Sequence, residues 1–251
     1  PLGCGQLHIF QHLAGVHLYH QDALDLAVAT YAVASENLRF VYKLEVGDMT
    51  WGENSSSVGK GMGGGKGLDA VNVETKNAYV DFTLNPVRIQ LGGQGVILHP
   101  GWWLDDDFAA ARFDMSFDAV SLLAYYAWHT NTDVTSVNDD IWNTAVSVGY
   151  TAEMFNLRGS LGWQRNAQPA GIDKDNLYIL MAEAGFNFDW WSAFVLGGVN
   201  FGSKEFDTRG ASDQDYKGMM VDAGVDFNFD PFTLGVEAFY VSGDDDANDG
   251  D

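Results

Sequence analysis

The sequence predicts an all-β protein, an antiparallel up-and-down transmembrane β-barrel. Two observations predict this class: apolar residues recur at a period of two along most of the chain, and short turns alternate with long polar connections. Side chains on a strand point alternately to opposite faces, so this period gives each strand one apolar and one polar face. Strands of about nine to eleven residues, with tight turns at one end and long loops at the other, are typical of membrane barrels.

Eleven strands follow from the alternation. In the first, apolar residues from Leu38 to Val46 share one face. Its opposite face carries Arg39, Lys43 and Glu45. The others begin at Val80, Val87, Phe113, Val120, Val146, Phe155, Tyr178, Trp191, Met219 and Phe232. Bacterial barrels have even numbers of strands, so we expect the chain to be a fragment of a larger barrel.

The connections between these strands alternate strictly in length. Tight turns are predicted at Asn85-Pro86, Asp118-Ala119, Asp189-Trp190 and Asp230-Pro231, with a slightly longer one over residues 151–154. Long polar connections are predicted over residues 47–76, 95–108, 130–141, 165–176 and 202–218. A soluble β-sandwich or a lipocalin-like barrel also has alternating strands, but neither predicts this asymmetry of loop length.

Aromatic residues collect at the two ends of the predicted strands. At the long-loop ends lie Trp51, Trp128, Trp142 and Trp163. At the short-turn ends lie Phe117, Phe155, Phe188, Trp190, Trp191, Phe229 and Phe232. Two aromatic belts separated by an aliphatic band match the two interfaces of a bilayer, so the lipid bilayer is an expected partner.

Composition excludes several classes of protein. The chain has 35 Asp and Glu against 13 Lys and Arg, a formal net charge of −22, which argues against nucleic-acid binding. A single Cys excludes an internal disulfide framework and any Cys-based zinc or haem site. With 46% apolar and 14% aromatic residues, the composition is not that of a disordered protein.

Two stretches resemble a known family. The run Val33-Ala34-Ser35-Glu36-Asn37-Leu38-Arg39 is followed by Gly47-Asp48-Met49-Thr50-Trp51-Gly52. Shorter matches lie at residues 78–82 and 91–101. Together they resemble the outer membrane homotrimeric porins of sulfate-reducing Gram-negative bacteria. This resemblance implies an outer membrane location, contact with lipopolysaccharide, a homotrimer, and a 16-stranded water-filled barrel that passes small hydrophilic solutes and ions by diffusion.

The resemblance covers residues 33–251, which we expect to be an incomplete porin barrel. Residues 1–32 differ in character, since they hold four of the six His and the only Cys but contain no Lys, Arg or Trp. We therefore expect residues 1–32 to be an atypical segment that is not native porin sequence, with a native periplasmic segment as the alternative.

The polar face of the predicted strands supplies the candidate pore lining. Its basic members are Arg39, Lys43, Arg88, Arg112 and Arg158, and its acidic members are Glu45, Asp81, Asp114, Glu183, Asp222, Asp226 and Glu237. All five cations precede residue 164, whereas the strands from Leu177 onward carry four acids and no cation. Either basic and acidic walls create a field across a pore, or the charges are solvated and paired with neighbours.

The connection Gly95–Asp107 is unusually apolar for a solvent loop, with Trp102 and Trp103 preceding Asp105, Asp106 and Asp107. By resemblance to porins it would fold into the lumen as a constriction or contact a neighbouring subunit. The third alternative is a crossing of the aromatic interface belt. With the acids near a narrowing, the expected ion preference is modestly cationic.

No catalytic group and no resident metal or cofactor is expected, so the sequence predicts a channel and no enzyme. The one exception for cofactors is weak surface calcium at residues 244–250, bridging anionic lipid headgroups. The leading function is therefore a diffusion porin. The alternatives are a solute-specific channel, or a structural or adhesive outer membrane barrel with a plugged lumen.

Overall fold

The computed structural model describes residues 8–13, 17–19, 23–50, 72–130, 141–167, 172–206 and 212–242. The chain divides into two compact units, the first made of residues 1–96 and 105–109 and the second of residues 97–104 and 110–251. In the described ranges every regular element is a β-strand, except for a single 3₁₀ turn at His99–Gly101.

The fifteen strands of the described residues are numbered in chain order. They are β1 (His8–Leu13), β2 (His17–Tyr19), β3 (Ala23–Ser35), β4 (Leu38–Thr50), β5 (Asn72–Leu84), β6 (Val87–Leu98), β7 (Leu104–Phe117), β8 (Val120–Thr130), β9 (Ile141–Thr151), β10 (Phe155–Asn166), β11 (Ile172–Asn187), β12 (Trp191–Phe206), β13 (Gln214–Tyr216), β14 (Met219–Phe229) and β15 (Phe232–Val241).

Strand order follows chain order, which confirms the predicted antiparallel up-and-down class. Thirteen of the described strands form one hydrogen-bonded path, β1-β3-β4-β5-β6-β7-β8-β9-β10-β11-β12-β14-β15, while β2 pairs with β3 and β13 with β12. Consecutive antiparallel strands need only a tight turn between them, so this order is the simplest one for the predicted connections.

All eleven predicted strands are present, and the predicted tight turns separate them. Two-residue turns at 85–86, 118–119 and 230–231 join β5 to β6, β7 to β8 and β14 to β15. Three-residue turns at 152–154 and 188–190 join β9 to β10 and β11 to β12. A further two-residue turn, Glu36-Asn37, joins β3 to β4.

Strands run further into the long connections than the apolar alternation indicates. β11 and β12 remain paired beyond their apolar residues, where Lys174 lies opposite Glu205 and its Nζ is 2.8 Å from the Glu205 carboxylate. The predicted long connection 95–108 is in fact short, because β6 continues to Leu98 and β7 begins at Leu104. The backbone hydrogen bonds between paired strands do not depend on side-chain polarity, so a strand can extend beyond its alternating apolar residues.

Three strands precede the first predicted one. β3 pairs with β4 along most of its length, from Ala23 opposite Thr50 to Ser35 opposite Leu38. Small residues such as Ala27, Ala29 and Ala32 occupy both odd and even positions of this stretch, so its alternation is weak in the sequence. The predicted division between residues 32 and 33 stays a prediction.

Among the described residues, no helix is long and apolar enough to cross a membrane.

Candidate pore-lining face

One face of the second unit's sheet carries its charged and polar side chains; we call it the polar face. A row of directly opposed residues crosses six neighbouring strand pairs on this face: Ser121, Gly149, Arg158, Glu183, Leu196, Asp222 and Phe239. Cβ atoms of opposed residues lie about 5 Å apart, so the register alone brings Arg158 beside Glu183. The pairing of β10 with β11 thus joins two charged residues that are far apart in the sequence.

The opposite face of this sheet is apolar and open. Val146, Leu161 and Leu180 are 54%, 52% and 49% exposed. A contiguous apolar surface of this kind marks contact with lipid or with another protein. The sheet therefore separates a surface suited to hydrocarbon from one suited to water.

Aromatic rings line both ends of the apolar face. At the long-connection end, Trp142 lies 4.4 Å from Trp163 and 5.5 Å from Tyr126, measured between ring centroids. The chain of rings continues through Tyr178 to Phe201. At the short-turn end a second group comprises Phe188, Trp190, Trp191, Phe227 and Phe229. The predicted belt residues Trp128, Phe117, Phe155 and Phe232 are exposed, and Trp51 lies outside the described residues.

In the first unit, two arginines share one buried carboxylate. Asp81 of β5 has a side chain that is 5% exposed and lies opposite Arg39 of β4. Arg39 donates from Nε to Asp81 Oδ2 at 2.8 Å, and Arg88 of β6 donates from Nη2 to the same oxygen at 2.6 Å. Arg88 Nε also donates to Asp81 Oδ1 at 3.1 Å. The carboxylate of Asp81 therefore joins guanidinium groups from both neighbouring strands.

The segment between β6 and β7, residues 99–103, is anchored to the polar face of the second unit; we call it the connecting segment. His99 is fully buried and bridges two strands, with Nε2 2.7 Å from Ser160 Oγ and Nδ1 3.3 Å from Glu183 Oε2. Ser160 Oγ in turn donates to Ser147 Oγ at 2.8 Å. The side chain of His99 therefore fixes the connecting segment to β10 and β11.

The hydrogen-bond order from Ser160 through His99 to Glu183 is that of a nucleophilic triad. However, Ser160 is only 3% exposed, and its hydroxyl hydrogen is directed to Ser147. A nucleophile needs an open approach to its oxygen atom. We therefore interpret the three side chains as an anchor for the connecting segment.

The two tryptophans of the connecting segment also pack on the polar face. Trp102 Nε1 donates to Asp222 Oδ2 at 2.7 Å, and its ring centroid is 5.3 Å from that of Phe239. The ring of Trp103 lies directly over Gly162, where a Cβ atom would overlap it. Gly162 is thus required by close approach, and the connecting segment contacts strands β10, β11, β14 and β15.

We expect the Trp102→Phe variant to lose about 1.5 kcal/mol of unfolding free energy, because a hydrogen bond to the charged Asp222 disappears while the ring area is nearly kept. Urea unfolding of the refolded protein in detergent measures the difference. The matched control is Trp128→Phe, whose ring is 45% exposed on the apolar face and which should change stability by less than about 0.5 kcal/mol. Equal losses in the two variants would contradict the role of the Trp102 indole N–H.

Beside Trp102 the polar face contains an acidic cavity of about 420 Å³. Its carboxylates are Glu183, Asp222, Asp226 and Glu237. Arg158 lies opposite Glu183, but the other three acids have no ion pair with any described residue. The cavity is therefore a region of negative potential on an otherwise mixed face.

Two solved structures have a fold similar to that of this chain. OmpT folded in vitro, an outer membrane protein of Vibrio cholerae, is 11% identical with a TM-score of 0.50, over 93% of this chain and 83% of OmpT. A variant of OmpT lacking loop L8 is 12% identical with a TM-score of 0.52, over 95% of this chain and 92% of that one. The fold is that of outer membrane β-barrel proteins.

No protein-family model matches the sequence, and no curated protein matches it. The resemblance to porins of sulfate-reducing bacteria therefore remains a prediction. At this level of identity the OmpT structures support only the fold of the chain.

The remaining predicted pore residues take several positions. Arg112 forms an ion pair with Asp114 on the same strand at 2.9 Å. Lys43 is half-buried opposite Asn77. Asp105, Asp106 and Asp107 are exposed residues of β7. Asp107 Oδ2 is 3.7 Å from Lys76 Nζ. The side chain of Glu45 and the calcium-like residues 244–250 lie outside the described part of the chain.

Sequence reasoning did not find the anchor formed by His99, Ser160 and Ser147. A buried His and two Ser on separate strands have no local spacing that signals their contact. In the sequence, the only relevant signal was the pair Trp102-Trp103 in an apolar connection. Among the described residues, no group of three or more His, Cys, Asp or Glu side chains is placed to hold a metal ion.

Proposed function

We propose that the chain forms an outer membrane porin, a water-filled channel for passive diffusion of small hydrophilic solutes and ions. The observation that carries the proposal is the division of the sheet into a charged polar face and an exposed apolar face edged by aromatic rings. A barrel wall in a membrane needs lipid contact on one face and hydration on the other. Channel conduction itself needs no catalytic group.

The same proposal places the protein in the outer membrane of a Gram-negative bacterium, in contact with lipopolysaccharide and as a homotrimer. Its support is the outer membrane fold together with the resemblance of residues 33–52 to trimeric porins. The exposed Leu, Val and aromatic side chains of the apolar face supply surface for both lipid and neighbouring subunits.

The proposed ion preference is modestly cationic. Six described acids and five described cations are candidates for the pore lining, and Asp81 and Asp114 are each in an ion pair. Three of these six acids, Asp222, Asp226 and Glu237 of the acidic cavity, have no ion pair within the described residues. Acids that are not neutralised by neighbours raise the local concentration of cations.

We further propose that the connecting segment narrows the channel. Its support is the pair of anchors to the polar face, His99 to Ser160 and Trp102 to Asp222. Both anchors hold bulky side chains over the face that would be wet. A five-residue segment held at two points has little freedom to move away from the wall.

A solute-specific channel is the second candidate, because the acidic cavity lies beside the exposed ring of Trp102 and could retain one class of solute. Single-channel recording of the full chain in planar bilayers separates the candidates. Conductance that rises linearly with salt supports diffusion, and saturation by one solute class supports a specific channel. Absence of current from inserted, heat-modifiable protein would overturn both and favour a plugged structural barrel.

Neutralising Arg88, Arg112 and Arg158 together with glutamine should raise the cation-to-anion permeability ratio by at least about twofold, because three positive charges leave the proposed pore wall. Reversal potentials in a salt gradient measure the ratio. As a control of equal charge, Lys174, Lys204 and Lys217 at the strand ends are replaced by glutamine, and this variant should stay near the original ratio. An unchanged ratio in the arginine variant would show that these residues do not line the conducting path.

A further inference from the structure

Three carboxylates of the acidic cavity occupy neighbouring positions on two paired strands. Its three carboxylates without an ion pair come from two paired strands, Asp222 and Asp226 from β14 and Glu237 from β15. Glu237 lies directly opposite Gly224, the residue midway between the two aspartates. Diagonal neighbours in an antiparallel pair are about 7 Å apart, so Glu237 lies within side-chain reach of each aspartate, while the two aspartates are about 13 Å apart along β14.

One oxygen in the cavity wall lacks a hydrogen bond. Asp222 is 2% exposed, and its Oδ2 accepts from Trp102 Nε1. Its other oxygen, Oδ1, is buried and has no hydrogen-bond partner in the described part of the chain. A buried carboxylate oxygen without a donor costs on the order of 1–3 kcal/mol, so a donor from a bound molecule would be stabilising there.

The rest of the cavity is aromatic and neutral. Trp102 is 38% exposed at its edge, and the ring of Phe194 lies over Gly224 in its floor. Asn156 and Asn187 add neutral polar groups. Aromatic faces attract cations, and a volume of about 420 Å³ is within the range of small-molecule sites.

We propose that this cavity binds an organic cation, with a primary ammonium group between Asp222 and Glu237 and an apolar body against Trp102 and Phe194. The ammonium supplies three donors, one of which satisfies Asp222 Oδ1. A simple metal ion offers no such apolar complement, and no described group of side chains is placed to ligate one. This inference rests on the proposed pore and names the solute class that its wall retains.

The test is isothermal titration of the refolded full chain with phenethylammonium at constant ionic strength, with 2-phenylethanol as the neutral probe of similar shape. We expect phenethylammonium to bind at least tenfold more tightly than 2-phenylethanol. In the variant Asp226→Asn/Glu237→Gln, the affinity for phenethylammonium should fall at least tenfold, because two of the three charges are removed. The control Asp189→Asn/Asp230→Asn removes the same charge from two short turns and should bind as the original does.

Two results would overturn the site. One is equal binding of 2-phenylethanol and phenethylammonium by the unaltered protein, a comparison that needs no folded variant. The other is an equal loss of affinity in Asp189→Asn/Asp230→Asn and in Asp226→Asn/Glu237→Gln, which would show that only the overall charge of the protein matters. Conductance is recorded on the same preparation: current without phenethylammonium binding retains the pore and rejects the site, whereas binding without current retains the site and rejects the pore.

Discussion

The Asp81→Asn variant should lose about 3 kcal/mol of unfolding free energy, because it leaves Arg39 and Arg88 facing each other without the carboxylate between them. The Asp81 side chain is 5% exposed, while the side chains of Arg39 and Arg88 are 43% and 42% exposed. Solvent around the guanidinium groups moderates their repulsion, which places the loss at the lower end for a broken buried pair. Urea unfolding in detergent measures it.

Two further variants define the origin of this loss. Adding Arg88→Met to Asp81→Asn should restore part of the stability, because the repulsion between guanidinium groups disappears. Asp114→Asn breaks a one-to-one ion pair with the half-buried Arg112 and should lose only about 1 kcal/mol. If Asp81→Asn costs no more than Asp114→Asn, the shared carboxylate does not stabilise the first unit.

The Gly162→Val variant should lose about 2–3 kcal/mol and should also alter conductance, because the new side chain occupies the place of the Trp103 ring. Trp103 cannot stay over β10, so the connecting segment must shift and its contact with Tyr125 is lost. If the segment narrows the channel, single-channel conductance rises. Unfolding by urea and single-channel recording give the two readouts.

Gly159→Val is the matched control for this change. Gly159 lies on the same strand but on the opposite, exposed face, where the nearest atom to a new Cβ would be Met181 O at 4.0 Å. Valine is favoured in strands, so this variant should keep its stability and conductance. A Gly162→Val protein with the same stability as Gly159→Val would mean that Trp103 is not packed against β10.

The strands and turns of this chain are largely readable from its sequence. The alternation of Val146, Val148 and Tyr150 against Ser147 and Gly149 shows a strand with two unlike faces, and β9 has this arrangement. Residue pairs such as Asp118-Ala119 mark turns because one alternation ends before them and another begins after them. These signals are local, so they need no knowledge of neighbouring strands.

The alternation of apolar and polar residues did not predict a strand where both faces of that strand are apolar. Val96 and Leu98 are buried on one face of β6, while Ile97 between them is 59% exposed on the other. Three consecutive apolar residues show no period of two, so this part of β6 was predicted as a loop. In β3 the same difficulty arises from alanines, which are compatible with either face.

The sequence by itself determined the fold class, the tight turns and which charged residues share a face, because these depend on a period of two within each strand. Only the tertiary structure decided which charges meet. Asp81 lies between Arg39 and Arg88, and Asp222 accepts from Trp102, because backbone pairing and an anchored connecting segment bring distant residues together. A tight turn fixes the register of the two strands that it joins, whereas the register across a long connection depends on how the whole strands pair.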